Sequence, residues 1–154
     1  MTRVATAACM FAALVLASLH PASAGPAAGV TVRDAWARAT PPGAVVAAVY
    51  LTIVGGSRAD RLLGAHTSRA GMTELHAVTH ESGMIRMRPS DGVDVAAHGK
   101  VMLAPEGFHL MLMNLPQPLV QGESFEVQLH FAQAGIVDVP VQVVAPGASG
   151  PAKH

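Results

Sequence analysis

The sequence predicts an all-β protein, built as a β-sandwich or a Greek-key barrel. Three observations carry this. Seven to nine short stretches rich in β-branched residues recur along the chain, with turn signals about every 8–14 residues. No segment shows a helical apolar period, and there is no GxGxxG, P-loop or GxSxG signature. Hydrophobic residues make up 51% and charged residues 13% of 154 residues, which suits one folded domain and excludes a disordered, highly charged chain.

Residues 30–38 (VTVRDAWAR) alternate, with Val30, Val32, Asp34 and Trp36 expected on one face. Thr40-Pro41-Pro42-Gly43 ends that strand, and 44–54 forms a buried one. Gly55-Gly56-Ser57 is a turn, and 59–66 is a short strand or irregular. Residues 72–79 and 84–88 read as a hairpin around Glu81-Ser82-Gly83. Residues 93–95 and 100–103 are short strands, and 108–113 (FHLMLM) follows the turn Pro105-Glu106-Gly107. Residues 124–131 alternate cleanly, and 136–143 close the domain, with Pro140 suited to an edge or a bulge. The Pro/Gly/Ala-rich tail 145–154 is expected to be disordered.

Residues 1–24 read as a secretory signal peptide: Arg3, an apolar run over 4–19, and cleavage after Ala24. A lipoprotein would need Cys9 after a full apolar stretch, and only eight residues precede it. The domain is then 25–144. Cleavage removes Cys9, the one cysteine, and leaves nine basic against ten acidic residues, a formal charge of −1. The mature chain therefore has neither a disulfide nor a thiol ligand. The balanced charge offers no basic footprint for nucleic acid, and the 4% aromatic content gives little stacking surface. After residue 30 no apolar run is long enough to span a membrane.

The eight His and eight Met are the unusual entries in the composition. They gather in the hairpin (Met72, His76, His80, Met84, Met87) and in the strand His109-Leu110-Met111-Leu112-Met113. Strand alternation puts His109, Met111 and Met113 on one face and Phe108, Leu110 and Leu112 on the other. Methionine at such spacing is usually packing, which is the expectation for Met72, Met102 and Met113. His66, His98, His130 and His154 are expected at the surface, and His80 and Met84 stand near the candidate site. Ten residues separate His76 from Met87, twenty-one separate Met87 from His109, and one separates His109 from Met111.

That spacing, H-x10-M-x21-H-x-M, resembles the signature of the periplasmic Cu(I) chaperones of the PCu(A)C type. The flanking stretches DAWAR before TPPG, ELH, MIRMRP and GFHLMLM are also similar, and the resemblance runs over roughly 30–143. From composition alone, four such positions would coincide with a probability on the order of 10⁻³. The resemblance implies a cupredoxin-like or immunoglobulin-like Greek-key β-sandwich. It also implies a non-enzymatic, monomeric periplasmic protein that carries Cu(I) on His76, Met87, His109 and Met111. Its implied partners are a cytochrome oxidase subunit, with the CuA centre as target, and Sco-type proteins.

The chemistry is consistent. Thioether and imidazole suit soft d¹⁰ Cu(I), thioether is a poor zinc ligand, and a blue-copper site needs a thiolate. A copper storage or resistance protein would use the same ligands. A metal enzyme such as a dismutase would need more His or carboxylate donors. A sandwich without metal, of the adhesion type, would need none.

Overall fold

The computed structural model describes residues 29–151 and is all-β. Its strands are β1 (Val30–Arg38), β2 (Val46–Gly55), β3 (Asp60–His66), β4 (Met72–Glu81) and β5 (Met84–Pro89). They continue with β6 (Val93–Val95), β7 (Lys100–Leu103), β8 (Phe108–Met113), β9 (Ser124–Phe131) and β10 (Gly135–Val144). The signal peptide and its cleavage point lie outside the described residues, as does His154.

The strands join in the order β5-β4-β8-β2-β1-β10-β9-β3-β6, with β7 also on β2. This path folds around one core to make the two layers of a Greek-key β-sandwich. Leu75 of β4, Val49 and Leu51 of β2 and Leu110 and Leu112 of β8 come from one side. Leu62 of β3, Val127 and Leu129 of β9 and Val141 of β10 come from the other. All of these side chains are essentially removed from water. Strands β2 and β8 give alternate residues to the core and β4 gives Leu75, so the intervening residues of β4, β8 and β2 form an outer face that is free for chemistry.

Strand β1 links the halves, antiparallel to β2 and parallel to β10. Its expected alternation breaks at a bulge. Between Arg33 and Trp36 it carries one residue more than β2 does, and Asp34 takes φ 55°. Val30 faces the core before the bulge, and Ala35 and Ala37 face it afterwards. Trp36 is thereby turned away from the face it was expected to share with Val30. It packs on Tyr50 across the strand, with ring centroids 4.7 Å apart.

The hairpin joins β4 to β5 through Ser82 (φ 50°) and Gly83 (φ 79°), the two positive φ values of a type I′ turn. Pro140 is tolerated inside β10 because β1 pairs with that strand only at 142–144, which leaves the β1 side of Pro140 open. Of the tail expected to be disordered, 145–151 lies against the sheet. Arg38 Nε donates to the Ala148 carbonyl at 2.8 Å, and Ala148 packs on the Trp36–Tyr50 pair.

Asp60, at the start of β3, anchors the turn between β9 and β10. Its carboxylate accepts from the backbone N–H groups of Arg61 (2.7 Å), Gln133 (2.9 Å) and Ala134 (2.9 Å). Burial alone would raise its pKa, but the backbone donors Gln133, Arg61, Ala134 and Ala132 outweigh it and hold the carboxyl below its usual value. The ionised form is therefore bound better by the folded chain, so this stabilisation is present above the unfolded pKa and is lost as pH falls through the folded one. Asp60→Asn should cost about 2 kcal/mol at neutral pH. It should also flatten the acid limb of stability, measured by denaturant unfolding at pH 7 and pH 3.

Candidate metal centre

The four expected ligands come to one outer face of the sheet. On β8, Leu110 and Leu112 fill the core, so His109, Met111 and Met113 point outward, as the alternation predicts. On β4, Leu75 points inward and Glu74 and His76 outward. The β4–β8 register sets His76 directly opposite His109, Glu74 opposite Met111, and Met72 opposite Met113. On the far edge, β5 sets Pro89 opposite His76 and Met87 opposite Val78, so Met87 is the diagonal neighbour of His76 on the same face. Two imidazoles and two thioethers, from three strands, thus line one patch.

The imidazole rings of His76 and His109 are 5.9 Å apart, centroid to centroid. His109 is 2% exposed although it faces outward, because it lies between His76 and Tyr50, whose ring is 6.4 Å away. Tyr50 in turn is covered by Trp36, which the β1 bulge turns onto it. The Arg38 guanidinium lies over both rings at 5.7 and 5.9 Å. Burial pushes the Tyr50 phenol up, with Arg38 pulling the other way, so the phenol beside His109 remains neutral. Met87 is at the opposite extreme. It stands 57% exposed on edge strand β5, where every residue is exposed. The patch has a closed end at His109 and an open end at Met87.

Hydrogen bonds identify the free lone pair of each imidazole. The Gly107 carbonyl can only accept, so the His109 Nδ1 at 3.3 Å is the protonated nitrogen, and Nε2 carries the lone pair. Burial lowers the His109 pKa most, the hydrogen bond to Gly107 opposes it, and His76 adds to the lowering. A neutral, ligating imidazole is thereby favoured. At His76 the Glu74 carboxylate lies 2.9 Å from Nε2, and Nδ1 is buried without a partner. A buried acceptor left unmatched, on a histidine that shares its sheet face with His109, Met111 and Met87, fits a metal ion. Among the described residues, no three His, Cys, Asp or Glu side chains converge on one point, so the donor set here depends on sulfur.

The remaining soft residues are distributed differently from expectation. Met102 and Met72 are not core packing: Met102 is 59% exposed on β7 and Met72 is 45% exposed, while Met113 is half-buried. His80 shares the face of His76 further along the hairpin, whereas Met84 lies on the reverse face opposite Glu81. His66, His98 and His130 are exposed, as expected. Sequence reasoning missed Glu74 as a partner of His76. The available signal was its position two residues before His76 on the same strand.

The family model described as "Putative lipoprotein LpqE-like" matches residues 30–143. A relative named "Putative lipoprotein Lxx21020", from Leifsonia xyli subsp. xyli (strain CTCB07), is 33% identical over 147 residues. That alignment covers 92% of this chain and 88% of the relative. Among solved structures, the copper-bound PCuAC domain from PmoF2 is similar with a TM-score of 0.63 and 25% identity, covering 76% of this chain and 93% of that one. The solution structure of CuI-DR1885 from Deinococcus radiodurans is similar with a TM-score of 0.60 and 30% identity, covering 80% and 81%. The family match spans the strands that form both the core and the His–Met face, and the chain belongs to the LpqE-like family, with a domain of the PCuAC type.

Proposed function

We propose that the protein is a Cu(I) carrier of the cell envelope, which holds one ion on His76, Met87, His109 and Met111 and passes it to a respiratory oxidase. The observation that carries this reading is the shared face. His76 opposes His109 across β4 and β8, Met111 and Met87 flank them, and one buried nitrogen there is unmatched. The copper-bound PCuAC domain from PmoF2 supports copper as the cargo, and CuI-DR1885 supports Cu(I) as its state.

The gradient of exposure suits transfer. His109, buried against Tyr50, fixes the inner end of the site. Met87, on an exposed edge strand, is the ligand that a partner's donor can replace first. Among the described residues there is no cysteine to hold the ion permanently as a thiolate, and four neutral ligands leave a site charge of +1 with Cu(I). The role is carriage rather than catalysis. The CuA centre of cytochrome oxidase is the proposed destination, with a Sco-type protein alongside. A storage or resistance protein would hold copper on the same ligands but deliver none.

Purified mature protein titrated with Cu(I) against a chromophoric chelator should bind one tight equivalent. A value of zero, or tight binding that survives replacement of both His109 and Met111, contradicts the assignment. Mixing the loaded protein with an apo oxidase CuA subunit should then move copper to the subunit, and retention by the carrier would favour storage.

Export and cleavage after Ala24 complete the reading. The family and the relative carry the word lipoprotein in their names, and the one cysteine to which a lipid could attach is Cys9. Mass spectrometry of the exported protein should find Gly25 at its N-terminus, and a lipid-modified Cys9 there would reverse this assignment.

A further inference from the structure

We propose that Glu74 is a positioning residue that commits His76 to bind the metal through Nδ1, so that the two histidines of the site use different ring nitrogens. The proposal rests on the copper reading above and goes further, to the atom that ligates and the residue that selects it.

The Glu74 side chain is fixed by register. It lies opposite Met111 and two residues before His76, on the same face of β4. Its Oε2 is 2.9 Å from His76 Nε2. An ionised carboxylate only accepts hydrogen bonds, so the neutral imidazole must carry its proton on Nε2. That leaves the lone pair on Nδ1, the nitrogen that is buried and has no partner. The carboxylate is 39% exposed and the imidazole 14%, and Nδ1 itself is shut off from solvent.

Across the strand, His109 is held the opposite way, with Nδ1–H on the Gly107 carbonyl and Nε2 free. A carboxylate on the second nitrogen of a ligating imidazole raises its donor strength and fixes its orientation. Here it also places a negative charge beside a site of neutral ligands, so the loaded Cu(I) site and Glu74 together are electroneutral.

Nitrogen-15 NMR of histidine-labelled protein tests this directly. In the metal-free protein above pH 7.5, His76 should show a protonated Nε2 and a bare Nδ1. With Cu(I) bound, the metal-induced shift should fall on Nδ1 of His76 and on Nε2 of His109. Glu74→Leu should weaken Cu(I) binding ten- to a hundredfold and release the tautomer preference, with the apo melting temperature unchanged. Glu74→Gln, whose amide oxygen still accepts from Nε2–H, should retain the tautomer and lose less than tenfold. Tight Cu(I) binding with Nε2 of His76 on the metal, or with Glu74→Leu indistinguishable from wild type, overturns the role of Glu74 and leaves the copper carrier intact. A wild-type protein that takes up no Cu(I) but shows the expected apo tautomer overturns the ligand assignment and the copper reading together.

Discussion

Met111→Leu should lower Cu(I) affinity by about 100-fold or more, because it removes a proposed ligand where even outer partners are worth ten- to a hundredfold. Leucine matches methionine in volume, so the half-buried position keeps its packing, and the apo protein should lose less than ~1.5 kcal/mol. It has no sulfur to offer. Met102→Leu is the control. Met102, on β7 and opposite Thr52, is 59% exposed and belongs to a strand that pairs with β2 and not with β4. Its replacement should change neither Cu(I) affinity nor melting temperature. The structure makes this a stricter comparison than the sequence did, since Met102 is an exposed thioether rather than core packing. If exposed sulfur alone recruited copper, Met102 would contribute as much as Met111. Competition titrations and apo melting curves on both variants read the two effects separately. Equal affinities with equal stabilities would mean that Met111 is not a ligand.

Acid should release the ion. Each imidazole must be neutral to ligate, and a free histidine titrates near 6.5. Burial lowers the pKa of His109 below that value, with the Gly107 hydrogen bond opposing and His76 adding to the effect, so at pH 7 its lone pair is already free. Affinity should therefore be nearly flat between pH 8 and pH 7. It should fall below about pH 6, by on the order of 100-fold by pH 5, with the thioethers of Met87 and Met111 retaining a residue of binding.

The same shift affects folding. A histidine whose folded pKa is depressed takes up its proton more readily in the unfolded chain. The apo protein should lose stability as pH falls below 6.5 and approaches the folded pKa of His109, and replacing His109 with Gln should reduce that slope. Chelator competition and apo unfolding across pH 8 to 5 measure the two parts. A flat affinity over that range would exclude histidine ligation.

The strand spans were legible in the sequence because alternation and turn chemistry are local properties. Residues 84–88, 93–95, 100–103 and 124–131 were expected as strands, and β5, β6, β7 and β9 occupy those places to within one residue. The outward set His109, Met111 and Met113 followed from period two alone. The wrong expectations have a common origin. The face of Trp36 was misjudged because one extra residue in β1 reverses the alternation, and a bulge is visible only against the partner strand. Met72 and Met102 were misjudged because a thioether is equally at home in a core or on an open sheet face. The side of the strand it occupies depends on how the sheet lies over the rest of the fold.

By itself, then, the sequence determined an all-β chain and a His–Met set with a spacing that packing has no reason to produce. Only the tertiary structure decided that His76 stands opposite His109, that Glu74 holds the outer nitrogen of His76, and that Tyr50 and Trp36 close one end while Met87 leaves the other open. The physical reason is the range of the forces involved. Side-chain alternation is set by backbone geometry within a few residues. Cross-strand register is set by hydrogen bonding between segments that lie thirty or more residues apart, as β4 and β8 do. No local pattern encodes the result of that pairing.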